Sequence, residues 1–446
     1  MTRLLTTLLA VLALPAAAAA PAGAATPAQR PDEVVVAYAP ATGEPQREST
    51  ERATGTDTAE VPAPQTEVLR IRDGESVAET IRELRSRPGV LYAVPNVIAR
   101  ASGFIPNDRG PAGVYRGWTR TQWNFLPGVG VNAPDAWANL IAVRAYGGRG
   151  ATVAVLDTGV AYENRLRYRR SPDLNPFLIA PGYDFVDRDR FPDDQNGHGT
   201  WIASLIGERV NNGIGLTGLA YGARILPVRV LDSLGLGDAS DIAAGIRFAT
   251  LRGARVINLS LEFDNAVPPA QIPQVLSAIR FAASRGAVIV AASGNQSLQT
   301  VAYPARAPFV ISVGATTEHG CLADYSNEGF GLDIVAPGGG GDAADAPDAF
   351  CRYSPTPGRD IFQLTFVGSV ARFGYPGGYQ GTSMAAPHVS AAAALVLASG
   401  VIGRSPSART VESHLEATAR DLGPAGYDTR YGAGLLDAGA ATARQR

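Results

Sequence analysis

The chain contains no lysine, so all 39 of its basic side chains are arginine, and there are 41 acidic residues in a total of 446. Chemistry that depends on a lysine amine, such as a Schiff base or the lysine contact of a P-loop, is therefore excluded. The formal net charge of -2 gives no broad attraction for phosphate backbones, so nucleic acid is not an expected partner. Four histidines without an H-E-x-x-H pattern argue against zinc hydrolysis.

Two motifs of other α/β enzymes are also missing. No G-x-G-x-x-G opens a helix after a strand, because the glycines within 147–150 precede the first strand of that region, which argues against dinucleotide binding. No G-x-S-x-G is complete around Ser383, because Ala385 stands where the second glycine would be. This departure argues against an α/β-hydrolase.

Cysteine is scarce, and the two in the chain, Cys321 and Cys351, come late. In an exported protein two such residues can form a disulfide or remain as free thiols, and the sequence leaves both alternatives open. Residues 338–357 are rich in Gly and Asp and contain Cys351, which predicts a surface loop.

The N-terminus has the pattern of an export signal. Arg3 precedes the apolar run 4–14, and an Ala-rich stretch ends in Ala-Gly-Ala at 22–24, which is typical of a signal-peptidase site. We therefore predict a signal peptide over 1–24 and a secreted protein, extracellular or periplasmic. The apolar run is shorter than the roughly 20 residues that span a bilayer, although an N-terminal membrane anchor remains the alternative. No stable membrane anchor is expected.

Residues 33–99 predict a small α+β domain of their own. The pattern is βαβ-like, with strands at 32–38, 68–71 and 90–94 and an amphipathic helix at 76–87. A unit of this size is marginally stable alone and usually needs a partner. The Gly- and Pro-rich segment 101–117 predicts an exposed connector.

The region 101–446 predicts a large domain with a doubly wound, mostly parallel α/β sheet. Short β-branched runs alternate with Ala-rich helical segments, a pattern typical of a parallel sheet covered on both faces. The strand candidates are 151–156, 224–230, 255–261, 287–292, 309–314 and 333–336, and the helix candidates are 199–207, 239–252, 270–285, 383–399 and 407–419.

Three polar side chains stand at element ends, where parallel sheets gather their catalytic groups. Asp157 follows the first strand, His198 lies in Asn-Gly-His-Gly-Thr before an apolar helix, and Ser383 begins the Ala-rich helix. Taken singly, each is ordinarily a turn, loop or cap residue. Together they supply a nucleophile, a base and an orienting carboxylate, and a helix N-terminus beside Ser383 suits a developing oxyanion.

The sequences Leu-Asp-Thr-Gly at 156–159, Asn-Gly-His-Gly-Thr at 196–200 and Gly-Thr-Ser-Met-Ala-Ala-Pro-His at 381–388 resemble the signature motifs of the subtilisin-like serine proteases. The resemblance covers about residues 120 to 440. It implies that Asp157 orients His198, that His198 takes the proton of Ser383, and that Ser383 attacks a peptide carbonyl. It further implies that Asn295, in Ala-Ala-Ser-Gly-Asn, donates to the oxyanion.

The resemblance also implies a substrate cleft for polypeptides. One wall of the primary pocket would be Ser260, Leu261 and Glu262, the other Ala292, Ser293 and Gly294, with Ala302 at the base. Such a pocket favours a large apolar P1 residue. Glu262 departs from the family, where glycine is usual, so its carboxylate either favours cationic substrate residues or is a solvated group without a role.

Two further features follow from the resemblance. Asp173 and Asn212, in the loop 210–218, match ligands of a structural calcium site, although a loop without metal is the alternative. Residues 33–99 resemble an inhibitory propeptide that assists folding and is then removed. We expect a monomeric, autoprocessed endopeptidase, and the competing hypothesis is a secreted binding protein that keeps the fold without the activity.

Overall fold

The computed structural model describes residues 29–97, 104–343 and 350–444 of the chain. The predicted signal peptide at 1–24 therefore lies outside the described residues. The chain divides into two compact units, Met1–Ala101 and Ser102–Arg446.

The first unit is a four-stranded antiparallel sheet with two helices. Its elements are β1 (Gln29–Tyr38), α1 (Glu44–Ala53), β2 (Thr56–Ala63), β3 (Thr66–Ile71), α2 (Val77–Ser86) and β4 (Val90–Val97), with the strand order β2-β3-β1-β4. Ser76 starts α2 with a capping box, because its hydroxyl accepts from the Glu79 N–H while the Glu79 carboxylate accepts from the Ser76 N–H. Val34, Leu69 and Leu84 form the centre of its core.

The predicted βαβ-like pattern for this unit is corrected by the structure. The predicted strands and the helix α2 are present, but α1 and β2 were missed. Thr50 is the one buried residue of α1, and most of β2 is exposed, so neither element shows the apolar periodicity on which sequence prediction depends.

The second unit is built on a seven-stranded sheet in the order β11-β10-β9-β8-β5-β7-β6, and all of its neighbouring strands pair in parallel. The strands are β5 (Thr152–Asp157), β6 (Tyr183–Asp184), β7 (Arg224–Arg229), β8 (Val256–Leu259), β9 (Val288–Ala292), β10 (Val310–Thr316) and β11 (Ile334–Pro337). A separate short hairpin joins β12 (Thr365–Phe366) and β13 (Phe373–Gly374). The doubly wound fold class is confirmed, and only the two-residue edge strand β6 was not predicted for the main sheet.

Helices cover both faces of this sheet. They are α3 (Trp118–Thr121), α4 (Ala133–Ala142), α5 (His198–Gly207), α6 (Ala239–Leu251), α7 (Pro273–Ser284), α8 (Thr382–Ser399), α9 (Ala408–Ala417) and α10 (Ala438–Thr442). The five predicted helices are found as α5 to α9. Among the described residues, α8 is long and apolar enough to cross a membrane, but 83% of it is buried inside the fold, as in the core helix of a soluble protein.

Two predicted surface segments pack differently from expectation. The described part of the connector contributes Asp108, which is fully buried and accepts backbone N–H groups from Asn211, Asn212 and Gly213. The expected exposed connector is therefore wrong at this point. The glycines at 338–340, predicted to begin a surface loop, are also buried. Farther along that loop Cys351 forms a disulfide with Cys321.

Candidate active site

Asp157 and His198 meet at the carboxyl end of the sheet. Asp157 ends β5 and is fully buried, and its Oδ1 lies 2.8 Å from Nδ1 of His198, the first residue of α5. The turn into α5 requires Gly197, whose φ of 108° lies in the left-handed region that glycine adopts at little cost. The arrangement fixes the imidazole with its Nε2 free for a proton transfer.

The carboxylate of Asp194 holds the Asp157 and His198 segments together. It is buried, and it accepts from Thr158 Oγ1 at 2.9 Å, from Gly197 N at 2.9 Å, and from Thr200 N at 2.9 Å and Thr200 Oγ1 at 2.6 Å. Thr158 Oγ1 in turn accepts from Gly199 N at 2.9 Å. Asp194 was not predicted from the sequence, because it precedes the N-cap residue Gly197 by three positions and matches no local capping pattern.

The pKa of His198 is raised above its ordinary value. Burial by itself lowers this pKa, but the charge of Asp157 and its hydrogen bond to the ring outweigh burial, and Asp194 adds to the rise. The side chain keeps 23% of its surface exposed, so the ring remains reachable from the cleft. The charge of Asp157 thus favours the protonated form of His198.

Ser383 lies beside His198 in the same cleft. It is the second residue of α8, and a cavity of about 420 Å³ is lined by both side chains. In this structure the Ser383 hydroxyl donates to the carbonyl of Ser260 at 3.2 Å, while the Ser260 hydroxyl donates to the carbonyl of Ser383 at 2.8 Å. The nucleophile candidate is thus bonded to the pocket wall, and transfer of its proton to His198 requires this hydrogen bond to be broken.

Asn295 and the start of α8 form a candidate oxyanion hole. Asn295 Oδ1 accepts from Thr382 N at 2.8 Å and from Thr382 Oγ1 at 3.0 Å, which leaves the NH2 group as the donor of this exposed side chain, and a hydrogen bond from the same side chain also stabilises the carboxylate of Glu262. Within the described part of the chain, the Ser383 backbone N–H donates to no acceptor. Two donors are therefore available beside the Ser383 hydroxyl, at a helix N-terminus where the dipole favours negative charge.

The segments predicted as the walls and base of the primary pocket lie next to one another in the structure. The N–H of Ala302 donates to the carbonyl of Ser293 at 2.8 Å, which joins one wall to the base. The N–H of Phe263, next to the other wall, donates to the carbonyl of Tyr303, next to the base, at 2.7 Å. Ala292, which ends β9, is buried with Ser293 and Gly294. This wall therefore consists of small residues, and its role as part of the primary pocket stays a prediction.

A second wall of the cleft was not predicted. The cavity beside Ser383 is also lined by the segment 234–237, which follows β7, and by apolar side chains of the neighbouring elements: Leu231, Leu234, Leu236, Ile242, Leu261 and Phe263. Leu234 and Leu236 are largely exposed at its rim. The sequence feature that could have indicated this wall is the pair of leucines in a Gly-rich loop directly after a strand.

The candidate metal residues also lie together. Asn212 Nδ2 donates to Asp173 Oδ1 at 2.6 Å, whereas Asp173 Oδ2 is buried and has no hydrogen-bond partner among the described residues. Burial, only partly opposed by the Asn212 amide, raises the pKa of Asp173 to about 7. Glu208, fully buried and close enough to Asp173 and Asp108 for their charges to act on it, adds a third carboxylate. This set of hard oxygen ligands fits a calcium ion.

A separate acidic group lies elsewhere in the second unit. Asp333, Glu412 and Glu416 bring carboxylate oxygens to within 4.8 Å of one another, an arrangement able to hold a metal ion. None of these three residues was predicted as a metal ligand from the sequence.

Comparison with known proteins identifies the family. The model of the subtilase family matches residues 148–434. The chain belongs to the subtilase family. A second model, the fervidolysin N-terminal prodomain, matches residues 15–96 of this subtilase. The predicted resemblance to subtilisin-like serine proteases with an N-terminal propeptide is confirmed.

Individual relatives agree with the family. The subtilase is 35% identical over 365 residues to a thermophilic serine proteinase of Bacillus sp. (strain AK1), across 82% of this chain and 75% of that protein. It is 38% identical over 301 residues to subtilisin Savinase of Lederbergia lenta, across 67% of this chain and 93% of that protein. A solved protease of Pseudoalteromonas arctica PAMC 21717 has a similar fold, with a TM-score of 0.59 and 31% identity over 76% of this chain and 99% of that one. The protein is a serine endopeptidase.

Proposed function

We propose that this subtilase cleaves peptide bonds with Ser383 as nucleophile, His198 as general base and Asp157 as the carboxylate that orients the base. The observation that supports this most is the 2.8 Å contact between Asp157 and His198 at the edge of a cleft that Ser383 shares. Asp157 holds the proton on Nδ1, so that Nε2 accepts the Ser383 proton as its oxygen attacks the carbonyl carbon. The imidazolium then donates this proton to the leaving amine.

The negative charge that forms on the substrate oxygen needs donors that are already in place. The Asn295 amide, fixed by Thr382, and the Ser383 backbone N–H supply them. Water then hydrolyses the acyl-enzyme by the same sequence of proton transfers, with His198 again acting as the base.

The cleft suits an extended polypeptide. The P1 side chain enters the space between the segments 260–262 and 292–294. Substrate residues farther toward the N-terminus lie over the apolar wall that includes Leu234 and Leu236. Apolar substrate residues at these positions gain binding free energy, because they bury apolar surface against these side chains.

The same hypothesis includes maturation. Residues 1–24 act as a signal for secretion, 33–99 act as an intramolecular inhibitor, and 101–446 are the mature catalytic domain, which works as a monomer. The match of a prodomain model to residues 15–96 supports a removable N-terminal segment. A small antiparallel unit of this size gains stability from a folded partner, which suits a segment that assists folding.

Calcium is the proposed structural ion. Subtilisins in general bind structural calcium, and Asp173 and Asn212 would hold it together with carbonyl groups of the loop 210–218. The buried and unpartnered Asp173 Oδ2 supports this assignment. Bound there, the ion would neutralise the buried carboxylates and stabilise the loop.

The test is the Ser383→Ala variant beside a matched Ser399→Ala control, which removes a hydroxyl from the far end of the same helix. Ser383→Ala is expected to abolish peptide hydrolysis and to accumulate as a signal-cleaved precursor that keeps residues 33–99, because self-processing needs the nucleophile. Ser399→Ala is expected to be processed and active. Turnover or normal trimming by purified Ser383→Ala, made without another protease, would contradict the mechanism.

A further inference from the structure

Glu262 is the acidic side chain on the wall of the primary pocket, where the other lining groups are small or apolar. It is half-buried and lines the same cavity as His198 and Ser383. The preceding Ser260 is hydrogen-bonded to Ser383 in both directions. The carboxylate therefore lies close to the position that a P1 side chain must occupy.

The side chain of Glu262 reaches from its own wall to the opposite one. Its Oε1 accepts from Gln296 Nε2 at 2.6 Å, and Gln296 directly follows Asn295. Its Oε2 lies 2.7 Å from the position that a Cβ atom on Gly294 would occupy, so the absence of a side chain at Gly294 leaves room for the carboxylate. The acid is thus located between the two segments that enclose the P1 residue.

The exposed amide of Gln296 and the buried amide of Asn327 form a network that holds this acid in place. Gln296 Oε1 accepts from Asn327 Nδ2 at 2.8 Å, and Asn327 Oδ1 accepts from Gln296 N at 3.0 Å. Asn327 is fully buried and also donates to the carbonyl of Ser293 at 3.2 Å. Glu262 is therefore held by a rigid support, which reduces the entropy lost when a ligand binds it.

One oxygen of this fixed acid lacks a partner. Oε2 is buried and has no partner at ordinary hydrogen-bond distance within the described residues, and the backbone and side-chain amides of Asn295 hydrogen-bond to the carboxylate more weakly and stabilise its charged form. The neighbouring charge that acts on Glu262 is that of Asp264, which is also negative. A buried acceptor without a donor is unfavourable, and a substrate group that carries donors and positive charge would satisfy it.

We propose that Glu262 selects the P1 residue of the substrate and favours a cationic side chain, arginine above lysine, over large apolar ones. Arginine is preferred because its planar guanidinium presents several donors to one carboxylate, whereas lysine offers a single ammonium. The inference rests on the proposed function, since it assumes that the cleft beside Ser383 is where peptides are cut.

The experiment compares peptides that differ only at P1: arginine, lysine, phenylalanine and citrulline, which keeps the shape of arginine without its charge. Rates are measured as kcat/KM for wild type, Glu262→Gln and Asp264→Asn, the last being a control that removes a nearby negative charge from outside the cavity. We expect wild type to prefer arginine over citrulline by at least about 10-fold, the difference that a charge-assisted hydrogen bond supplies. We expect Glu262→Gln to lose this preference and Asp264→Asn to keep it.

Each outcome separates the two hypotheses. Wild type that prefers phenylalanine, or an arginine preference that survives in Glu262→Gln, overturns the role of Glu262 and leaves the protease mechanism intact. Wild type that cleaves none of the peptides, although correctly processed, contradicts the proposed function itself. A second test uses the wild-type enzyme alone and compares inhibition by benzamidine, which is cationic, with inhibition by its neutral analogue benzamide. Competitive inhibition by benzamidine alone supports the proposal, and equal inhibition by the two compounds contradicts it.

Discussion

Replacing Asp194 by asparagine tests whether this buried carboxylate holds the catalytic loops. In the wild-type protein, Thr158 Oγ1 and the N–H groups of Asn196 and Gly197 donate to Asp194 Oδ1. The side-chain oxygen of an asparagine can still accept these three hydrogen bonds. The amide nitrogen on the other side cannot accept a hydrogen bond. Both hydrogen bonds from Thr200, at 2.9 Å from its N and 2.6 Å from its Oγ1, are therefore lost.

The cost follows from these two bonds. A hydrogen bond to a charged group contributes about 1.5 to 3 kcal/mol, which gives a loss of about 3 to 6 kcal/mol for the pair. Burial raises the pKa of Asp194, so a neutral side chain removes an unfavourable buried charge and offsets part of this loss. We expect the free energy of unfolding to fall by about 2 to 4 kcal/mol.

Activity should fall along with stability, and for a geometric reason. Asp194 joins Thr158, next to the orienting carboxylate, to the start of the helix that carries His198. A small displacement between these segments misaligns the base, so kcat should fall by about 10- to 100-fold while KM changes little. Asp157 and His198 themselves are unchanged in this variant.

The assay combines urea unfolding in the Ser383→Ala background, which prevents self-digestion, with peptide kinetics in the active enzyme. Asp421→Asn is the control, because that exposed aspartate accepts one backbone N–H, from Gly426, outside the cleft. We expect the control to change stability by less than about 1 kcal/mol. An Asp194→Asn enzyme with wild-type stability and wild-type kcat would refute the reasoning.

Three further predictions concern the site. Because Asp157 raises the pKa of His198 and the base must be neutral, kcat/KM should rise with pH through a midpoint above about 6.5, and a rate independent of pH between about 5 and 8 would contradict the assignment. Asn295→Ala should lower kcat by about 10²- to 10³-fold with little change in KM, a magnitude established on subtilisin itself, and an undiminished kcat would exclude the amide from the oxyanion hole. Excess calcium should raise the Tm of wild type but not of Asp173→Asn, and a Tm of wild type unaffected by chelator would argue against the ion.

The elements of the catalytic domain were predictable because their signals are local. Near-continuous β-branched runs and Ala-rich helical segments predicted the central strands and α5 to α9, and the polar motifs at a strand end and at two helix starts indicated Asp157, His198 and Ser383 as candidate catalytic residues. Family and fold class followed from these motifs. By contrast, α1 and β2 bury few residues, so their sequence carries no periodic pattern to read.

Contacts between distant segments were decided by the tertiary structure alone. Nothing near Asp108 in the sequence indicates that it is buried against the loop at 211–213, and nothing beside Asp194 indicates that one carboxylate joins two catalytic segments. Glu262 was visible in the sequence as a departure from the family, with no means of choosing between a substrate contact and a solvated side chain. Its position between two walls depends on the parallel pairing of β8 with β9, which brings their carboxyl ends side by side. Local sequence determines which segment forms a strand or a helix, whereas the contacts of a side chain depend on which distant segments the sheet brings to the same edge.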